Sequence, residues 1–352
     1  MKREEIGRLR LRNQRLSGPS WETPEEVVRW LGAVQSQEFG PAKWSIAQRS
    51  RGLSEAALDR AFSEGRILRT HVLRPTWHFV LPEDLRWMVE LTAPRIRAAM
   101  AHYDRKLGLN EAVFAKSNAR LARALAGGRQ RTRKELAAVF QKAGIAAEGQ
   151  RMAHLLMRAE LDLVICSGAP KGKLGTYALV EERAPRARSL PREEALAELT
   201  RRYFTSRGPA TPKDFAWWSG LTISEAKNGL EMVRAGFERK QVDGLDYWLA
   251  ASATGRRVAA PAAHLLQAFD EYVIAYGESR DVSGLSGMIP REQAQTVILE
   301  GQAVGHWRRL PDDKRAAVEI RLTRALDAAG NRALKAAVER YGRFKELPAA
   351  RL

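Results

Sequence analysis

Cysteine is nearly absent: Cys166 is the only one in a chain of 352 residues. A single cysteine forms no internal disulfide and no thiolate cage around a metal ion. The six histidines are scattered, without HExxH or a comparable ligand spacing. The phosphate-binding sequences GxxxxGK(S/T) and GxGxxG are missing too. We therefore expect no metal, no nucleotide and no other cofactor.

Long apolar runs are missing as well. No segment of about 18 consecutive apolar residues occurs, so the sequence predicts no membrane-spanning helix. The first residues, Met1–Glu5, lack the apolar stretch of a signal peptide, and we expect a cytoplasmic protein. The composition, 45% hydrophobic and 28% charged, is typical of a folded chain with a substantial core. A chain of this length usually divides into about two to four domains.

Acidic residues are in deficit, with 41 Asp and Glu against 59 Lys and Arg and a net charge of +18. Such an excess favours a polyanionic partner, because each phosphate neutralised by a basic side chain releases counterions. Nucleic acid is the leading candidate, which places the protein with the nucleoid. The alternative is an arginine-rich composition that forms a solvated surface without a partner. The clustering of basic residues beside particular turns favours nucleic acid.

A capped helix, a second helix and two short β-like runs recur in this order three times. Thr23 and Thr132 each precede a helical pattern and have a glutamate three positions on, as in a capping box, and Thr211–Asp214 opens a short helix in the third copy. The β-like runs flank Ser167–Lys173 in the second copy and Asp243–Gly244, a type I′ hairpin signal, in the third. A helix-turn-helix followed by a two-stranded wing is the winged-helix unit, whose second helix can enter the major groove. We predict three tandem winged-helix units.

In the first copy, Thr23 opens a helix whose apolar stripe reaches Val34, and Ser54 opens the second helix. Gly40-Pro41 indicates an early end for the first helix, and no further helix is predicted between this pair and Ser54.

The remainder of the chain, from about residue 258, has a different pattern. Gly301–Trp307 is typical of a hairpin, Ala317–Leu322 alternates like a strand, and residues 328–346 predict a closing helix. The fold class is therefore α+β, mainly helical, with a C-terminal β-rich domain and terminal helix. The predicted domains are the first winged helix with its N-terminal extension and linking helix, the second, the third, and the β-rich domain: 1–110, 111–190, 191–255 and 256–352.

Asp270 and Glu271 are adjacent carboxylates that could act as acid and base. Neighbours in sequence usually point in different directions on a strand or helix, so a structural or surface role is favoured.

The tripeptide Gln35-Ser36-Gln37 follows the first capped helix. Neither glutamine ionises, so any chemistry at this site must position and polarise rather than transfer protons. Residues two apart share a face in an extended segment but lie about 200° apart on a helix. Gln35 and Gln37 can therefore converge on one group only if the helix ends near Val34. The alternative is that they cap helix carbonyls or solvate a turn.

Several segments together resemble the AlkZ/YcaQ family of winged-helix DNA glycosylases, which excise N7-alkylated purines and unhook interstrand crosslinks. The resemblance covers nearly the whole chain. It depends on five segments: Val34–Glu38, Leu73–Val80, Cys166–Gly168, Leu265–Tyr272 and Gly305–Arg309.

The resemblance implies three tandem winged helices and a C-terminal β-rich domain around a basic channel. The family's catalytic motif is Gln-x-Gln in AlkZ-like members and Gln-x-Asp in YcaQ-like members, so it implies Gln35 and Gln37 as catalytic residues of the Gln-x-Gln type. Ser36 departs from the pattern, since an aliphatic or small apolar residue is expected there.

An amide pair suits this substrate. Most glycoside-bond enzymes use carboxylates to protonate a leaving group and activate water. An N7-alkylated purine is already cationic and leaves readily. What remains is to hold water near the sugar C1′ and to stabilise oxocarbenium-like charge, which amide dipoles can do. We predict a monofunctional glycosylase; a simple methyl adduct, a bulky adduct and an interstrand crosslink all stay open as its natural lesion.

Basic residues beside the second winged helix, together with one histidine of the first, are the candidate DNA contacts: Arg129, Arg131, Arg133, Lys134, Lys171, Lys173 and His78. Solubility is the alternative role of each basic side chain. The predicted partner is double-stranded DNA carrying alkylated purines, recognised in or beside a groove without base flipping. We expect a monomer. A non-catalytic winged-helix regulator of transcription and a protein-interaction scaffold are the alternative functions.

Overall fold

The computed structural model describes residues 1–251, 262–285 and 295–351. These residues form two compact units. The first unit comprises Met1–Leu58, Ala197–Trp218 and Thr222–Leu352, and the second comprises Asp59–Leu196 and Ser219–Leu221. The predicted boundary between residues 255 and 256, and the change of pattern at residue 258, lie outside the described residues. The division into four domains stays a prediction.

The first winged helix follows an N-terminal helix, α1 (Arg3–Asn13). Its elements in chain order are α2 (Pro24–Leu31), β1 (Val34–Gln35), α3 (Phe39–Ala47), α4 (Glu55–Ser63), β2 (Leu68–His71) and β3 (Trp77–Val80). The predicted capping box is present, because the Thr23 hydroxyl accepts from the N–H of Glu26 at 3.3 Å and the Glu26 carboxylate accepts from that of Thr23 at 2.9 Å. Strands β2 and β3 pair as an antiparallel hairpin.

Helix α3 was missed by the sequence prediction. Gly40 and Pro41 lie in its first turn, where a backbone N–H has no partner within the helix. Proline at such a position forfeits no hydrogen bond, so the pair that signals a break is compatible with a helix start. The helix opened by Ser54, α4, is therefore the third helix of this unit and not the second.

The second winged helix follows a long linking helix, α5 (Pro82–Lys106). Its elements are α6 (Glu111–Leu125), β4 (Arg131–Thr132), α7 (Arg133–Lys142), α8 (Gln150–Leu161), β5 (Ile165–Ser167), β6 (Thr176–Leu179) and α9 (Val180–Arg183). The strands form an antiparallel sheet in the order β4-β6-β5. Leu121, Leu136 and Phe140 lie in its core, fully buried. The first wing strand begins at Ile165, after Leu163, which has a positive φ of +58°.

The third winged helix contains α10 (Arg192–Arg207), α11 (Pro212–Ser219), α12 (Ile223–Val233), β7 (Phe237–Val242) and β8 (Leu245–Ala250). The two strands pair from Val242 opposite Leu245 outward. Asp243 and Gly244 both have positive φ, +50° and +78°, as a type I′ turn requires. The hairpin prediction is confirmed.

The C-terminal domain is a sheet covered by a helix. Its elements are β9 (Ala263–Leu266), α13 (Glu271–Ile274), β10 (Gln295–Leu299), β11 (Gln302–Arg309), β12 (Ala316–Leu322), α14 (Ala328–Lys345) and β13 (Ala349–Arg351). The sheet order is β13-β12-β11-β10-β9. The predicted strand and closing helix are present. Gly301–Trp307, predicted as a hairpin, supplies only the end of the turn and the second strand of a hairpin whose first strand is β10. The α+β prediction of three winged helices and a β-rich domain with a terminal helix is confirmed.

Within the first unit, an aromatic cluster fixes α3 on the C-terminal domain. The ring of Trp44 lies 5.1 Å from both Tyr341 and Phe344 of α14, and Trp307 of β11 lies 5.2 Å from Tyr341. The indole of Trp44 donates to the carbonyl of Leu265 at 2.7 Å. The segment that precedes α3 is therefore held close to the residues that follow β9. Within the described ranges, no helix is long and apolar enough to cross a membrane.

Candidate active site

Helix α2 ends before the glutamine motif begins. Its last residue is Leu31, and Gly32 caps it with φ +76° and ψ −52°. Val34 and Gln35 form β1, Gln37 lies in the loop that follows, and α3 begins at Phe39. The helix therefore ends early, as convergence of the two glutamines requires.

The motif has one buried and one exposed glutamine. Gln35 is 5% exposed and Ser36 is 0% exposed, whereas Gln37 is open to solvent. The interior position of Ser36 is compatible with the small side chain expected there. Gln35 is nearly enclosed, and Gln37 presents the accessible amide.

Two buried charges lie beneath the motif. Glu271, the first residue of α13, accepts a hydrogen bond from the backbone N–H of Gln35 at 2.8 Å through its Oε1. Its Oε2 accepts from Nη2 of Arg207 at 2.6 Å and from the indole N–H of Trp218 at 2.8 Å. The Arg207 and Glu271 side chains are both 0% exposed. Such an ion pair is compatible with burial only when its remaining hydrogen-bonding groups find partners.

The remaining donors of Arg207 find acceptors on the backbone that leads into the motif. Its Nη1 donates to the carbonyl of Leu31 at 2.7 Å, and its Nη2 donates to the carbonyl of Ala33 at 3.0 Å. Its guanidinium lies over the ring of Trp218, 4.2 Å from the centroid. We call Arg207, Glu271 and Trp218 the motif clamp.

Asp270 and Glu271 point to different partners, as expected for sequence neighbours. Asp270 accepts two hydrogen bonds from Arg49, at 2.9 and 2.8 Å, and caps α13 through the N–H of Tyr272. Both carboxylates are fully buried. Acid–base chemistry on DNA by either is excluded, and the structural interpretation is confirmed.

The sequence analysis missed Arg207 and Arg49, the two arginines that hold these carboxylates. Arg207 lies 64 positions from Glu271 along the chain, and Arg49 lies 221 positions from Asp270. No local pattern marks a buried arginine among the many basic residues of this chain. Only the fold distinguishes them from surface charges.

The candidate DNA contacts of the second winged helix lie in the second unit, whereas Gln35 and Gln37 lie in the first. Arg129 and Arg131 donate to the carbonyls of Arg123 and Ala124, both at 3.0 Å. These carbonyls end α6, where positive charge interacts favourably with the helix dipole. Both arginines therefore have a structural role in addition to any contact with DNA.

The remaining four basic residues surround the start of α7 and the wing. Arg133 donates to the carbonyl of Gly149 at 3.3 Å. Lys171 pairs with Glu135 at 3.0 Å and so ties the wing to α7. Lys134 and Lys173 are exposed, and neither has an ion-pair partner in the part of the chain that the structure describes. These two are the most available for phosphate.

The pKa of Glu135 is lowered by the hydrogen bonds that its carboxylate accepts. The hydrogen bond from the N–H of Thr132, together with those from Lys171 and the Thr132 hydroxyl, lowers the pKa of Glu135 to about 2. The carboxylate is therefore ionised at neutral pH, both in the capping box and in its pair with Lys171. Because the pair is exposed, its contribution to stability is small.

His78 does not fit the proposed set of DNA contacts. Its side chain is 0% exposed, and its Nδ1 lies 3.0 Å from the carbonyl of Thr76. A side chain without exposed surface cannot meet a phosphate. We therefore leave His78 out of the proposed contacts.

Two basic side chains of helix α8 are paired within the second unit. Arg158 is bound to Glu111 at 2.6 Å and to Asp162 at 2.9 Å. His154 is paired with Asp104 at 2.6 Å. Gln150, the first residue of the helix, is exposed. Entry of this helix into a major groove stays a prediction.

Other reactive groups give no alternative site. Burial raises the pKa of the Cys166 thiol to about 12, so it is no thiolate nucleophile at neutral pH. Among the described residues, no group of three or more histidine, cysteine and acidic side chains could hold a metal ion.

Comparisons with known proteins agree with this geometry. The model of a family described as DNA glycosylase AlkZ-like matches residues 28–344. No curated protein matches the sequence closely enough to indicate a relative. Among solved structures, the Streptomyces sahachiroi DNA glycosylase AlkZ is similar with a TM-score of 0.83 and 18% identity, over 100% of this chain and 99% of that chain. At that identity the likeness shows the shared fold.

Proposed function

The chain belongs to the AlkZ-like family of DNA glycosylases, which hydrolyse N-glycosyl bonds in DNA, and we propose that its substrates are N7-alkylated purines. Alkylation at N7 makes the base cationic, so it departs without a proton from the enzyme. The catalyst then needs to supply only a positioned water molecule and an environment that stabilises positive charge on the sugar.

Gln35 and Gln37 are the proposed catalytic residues. Their amide oxygens can accept a hydrogen bond from water beside C1′ and orient negative dipole ends toward the oxocarbenium-like transition state. Such dipoles act without reorganising when they are fixed before the reaction. The observation that carries the proposal is the early end of α2 at Leu31, which releases Gln35 and Gln37 from the helical spacing that would direct their amides about 200° apart.

The proposed partner is double-stranded DNA. Lys134 and Lys173 are the primary candidate phosphate contacts, with Arg129, Arg131, Arg133 and Lys171 beside them. Contacts of this kind position a protein on DNA without reading its sequence. A glycosylase that searches for damage needs this sequence-independent binding. The pairing of Arg158 and His154 of α8 within the second unit favours it over a regulator that reads one operator.

Bulky N7 adducts and interstrand crosslinks belong to the proposed substrate class, because their bases carry the same positive charge. We propose recognition in or beside a groove rather than by base flipping, and action as a monomer associated with the nucleoid in the cytoplasm. The amides assist bond cleavage without forming a covalent intermediate, so the proposed enzyme is monofunctional.

The first experiment is a single-turnover assay. Purified protein in excess is incubated with a duplex containing one N7-methylguanine, with duplexes carrying a bulky N7 adduct or an N7-linked crosslink, and with an undamaged control. Released base is measured by mass spectrometry, and abasic sites are measured by alkaline cleavage. Release from at least one cationic adduct, and none from the control, is expected. Failure to release any N7 adduct by folded protein that binds the duplexes would overturn the proposal.

A further inference from the structure

We propose that Glu271 and Arg207 are positioning residues, whose function is to keep the glutamine motif out of helix α2 and so to set the direction of both catalytic amides. This inference deepens the proposed function of Gln35 and Gln37 and rests on it. It assigns the motif clamp a role in the rate of base release in addition to its role in stability.

The clamp occupies the backbone groups through which α2 would otherwise continue. In an α-helix, the N–H of residue i bonds to the carbonyl of residue i−4. Continuation of α2 would therefore pair the N–H of Gln35 with the carbonyl of Leu31, and the N–H of Gln37 with the carbonyl of Ala33. Instead, Glu271 accepts a hydrogen bond from the N–H of Gln35 at 2.8 Å, and Arg207 donates to the carbonyls of Leu31 and Ala33 at 2.7 and 3.0 Å.

The consequence for the motif is geometric. If α2 continued, Gln35 and Gln37 would lie about 200° apart around the helix, and their amides could not meet one sugar. The apolar stripe of α2 runs as far as Val34, so the local sequence is compatible with that continuation. Gly32 ends the helix locally, and the motif clamp opposes its continuation through contacts from distant parts of the chain.

The carboxylate acts through the backbone and not on DNA. Glu271 has no exposed surface, and its two oxygens are held by Gln35, Arg207 and Trp218. It therefore reaches neither water beside the sugar nor the base. Its effect on catalysis can arise only from the conformation that it imposes on residues 31–37.

The same unit contains a matched ion pair. Arg49 and Asp270 are also both 0% exposed and joined by two hydrogen bonds. Arg49 donates its further bonds to Gln14 and to the carbonyl of Ser45. None of these bonds reaches residues 31–37. Loss of a charge from either pair removes a comparable buried interaction, but only one of the two pairs holds the motif.

The experiment compares Glu271→Gln with Asp270→Asn. In Glu271→Gln, the new amide N–H group must face either the backbone N–H of Gln35 or the donors of Arg207 and Trp218, so the clamp loses an acceptor in both orientations. Three quantities are measured on each full-length variant: the single-turnover rate of base release at saturating protein, the Kd for the damaged duplex, and the thermal stability. Rates are taken well below the melting temperature of every variant.

For Glu271→Gln we expect a fall in rate of about 100-fold, the cost of a displacement of about 1 Å at reacting groups. Its Kd for damaged duplex should change by no more than about threefold, since no phosphate contact is altered. Asp270→Asn should lose similar stability and keep its rate within about threefold. Equal rates in the two variants, or losses that follow stability in both, would overturn the inference.

A double variant separates stability from positioning. Arg207→Met with Glu271→Leu replaces the buried pair by apolar side chains of similar size, a change that often preserves stability. We expect this protein to regain stability relative to Glu271→Gln while its rate of base release stays low. Recovery of the rate together with stability would show that the clamp is only structural.

A milder variant tests the clamp if Glu271→Gln is too unstable to purify. Trp218→Phe removes one donor from the Glu271 carboxylate, and Trp87→Phe removes an equally buried indole donor that bonds the carboxylate of Asp84 in α5 instead. A larger loss of rate in Trp218→Phe is expected, and equal losses would overturn the inference.

Amide hydrogen exchange distinguishes this inference from the proposed function. The N–H of Gln35 should be protected in the wild-type protein and in Asp270→Asn, and should exchange faster in Glu271→Gln. If wild-type protein releases no base, the proposed function fails and with it the catalytic role of the clamp, while exchange still reports whether the clamp holds the motif. If wild-type protein is active and the two ion-pair variants release base equally, only the inference about the clamp fails.

Discussion

Glu271 accepts a hydrogen bond from the backbone N–H of Gln35 at 2.8 Å, although 236 positions separate the two residues in the chain. This bond joins the first winged helix to the C-terminal domain at the residue where the glutamine motif begins. The proposed active site, one short uncharged tripeptide, thus has its first residue held by a buried carboxylate from the far end of the sequence.

Gln37→Ala should lower the single-turnover rate of release of N7-methylguanine by about 100-fold, the typical cost of losing one preorganised polar group. Its affinity for the damaged duplex should stay nearly unchanged, because the amide carries no charge. Gln241→Ala is the matched control, since Gln241 is an exposed glutamine of the same unit that lies on strand β7. A similar loss in both variants, or a loss of binding that accounts for the rate, would contradict the assignment.

Lys134→Ala and Lys173→Ala should each weaken binding to duplex DNA uniformly across sequences. If each lysine neutralises one phosphate, the slope of log K against log salt concentration should become shallower by about 0.9 per substitution. Fluorescence anisotropy between low and moderate salt measures this slope. Lys213→Ala, which removes an exposed lysine paired with Glu278, should leave the slope unchanged. Unaltered slopes in all three variants would remove both lysines from the DNA interface.

Thr132→Ala should lower the free energy of unfolding of the second winged helix by about 1 kcal/mol, the usual cost of losing an N-cap. The hydroxyl of Thr132 accepts from the N–H of Glu135 at 3.3 Å, and alanine has no replacement for it. Urea denaturation measures the difference. Thr132→Ser keeps the cap and should retain most of the stability, so equal losses in the two variants would show that the methyl group and not the hydroxyl matters.

His264 should make the fold sensitive to acid. Burial, with Arg340 and Arg49 nearby, lowers the pKa of His264 well below its ordinary value, and neither ring nitrogen has a hydrogen-bond partner among the described residues. Above pH of about 6.5 both states hold a neutral imidazole and the full stability is present. Below it the unfolded chain binds a proton that the folded chain does not, so the free energy of unfolding falls by up to about 1.4 kcal/mol per pH unit, until the lowered pKa is reached.

Urea denaturation at pH 7.5 and pH 5.5 checks this dependence. His264→Leu should reduce the loss of stability between the two conditions, because the buried group that resists protonation is removed. His102→Gln changes an exposed histidine of α5 and should preserve the loss. Identical pH dependence in wild type and His264→Leu would assign the acid sensitivity to other groups.

The local signals in the sequence were reliable because short-range bonds enforce them. The capping boxes at Thr23 and Thr132 and the positive φ angles at Asp243 and Gly244 depend on residues within about three positions of one another, so their chemistry is legible in the chain. The threefold recurrence of these signals predicted the winged helices. The same reasoning failed at α3, where Gly40 and Pro41 signal a break, yet the first turn of a helix tolerates both.

The sequence by itself determined the order of the elements, the excess of basic charge, and a motif of two amides that suits a cationic leaving group. Only the tertiary structure decided which charges are buried in the fold and which stay exposed. Arg207 and Arg49 are fully buried, whereas Lys134 and Lys173 are exposed, and burial is set by long-range packing that no local pattern records. The contacts of the chain between α2 and the glutamine motif were decided in the same way, because the hydrogen bonds to Leu31, Ala33 and Gln35 come from residues far along the chain.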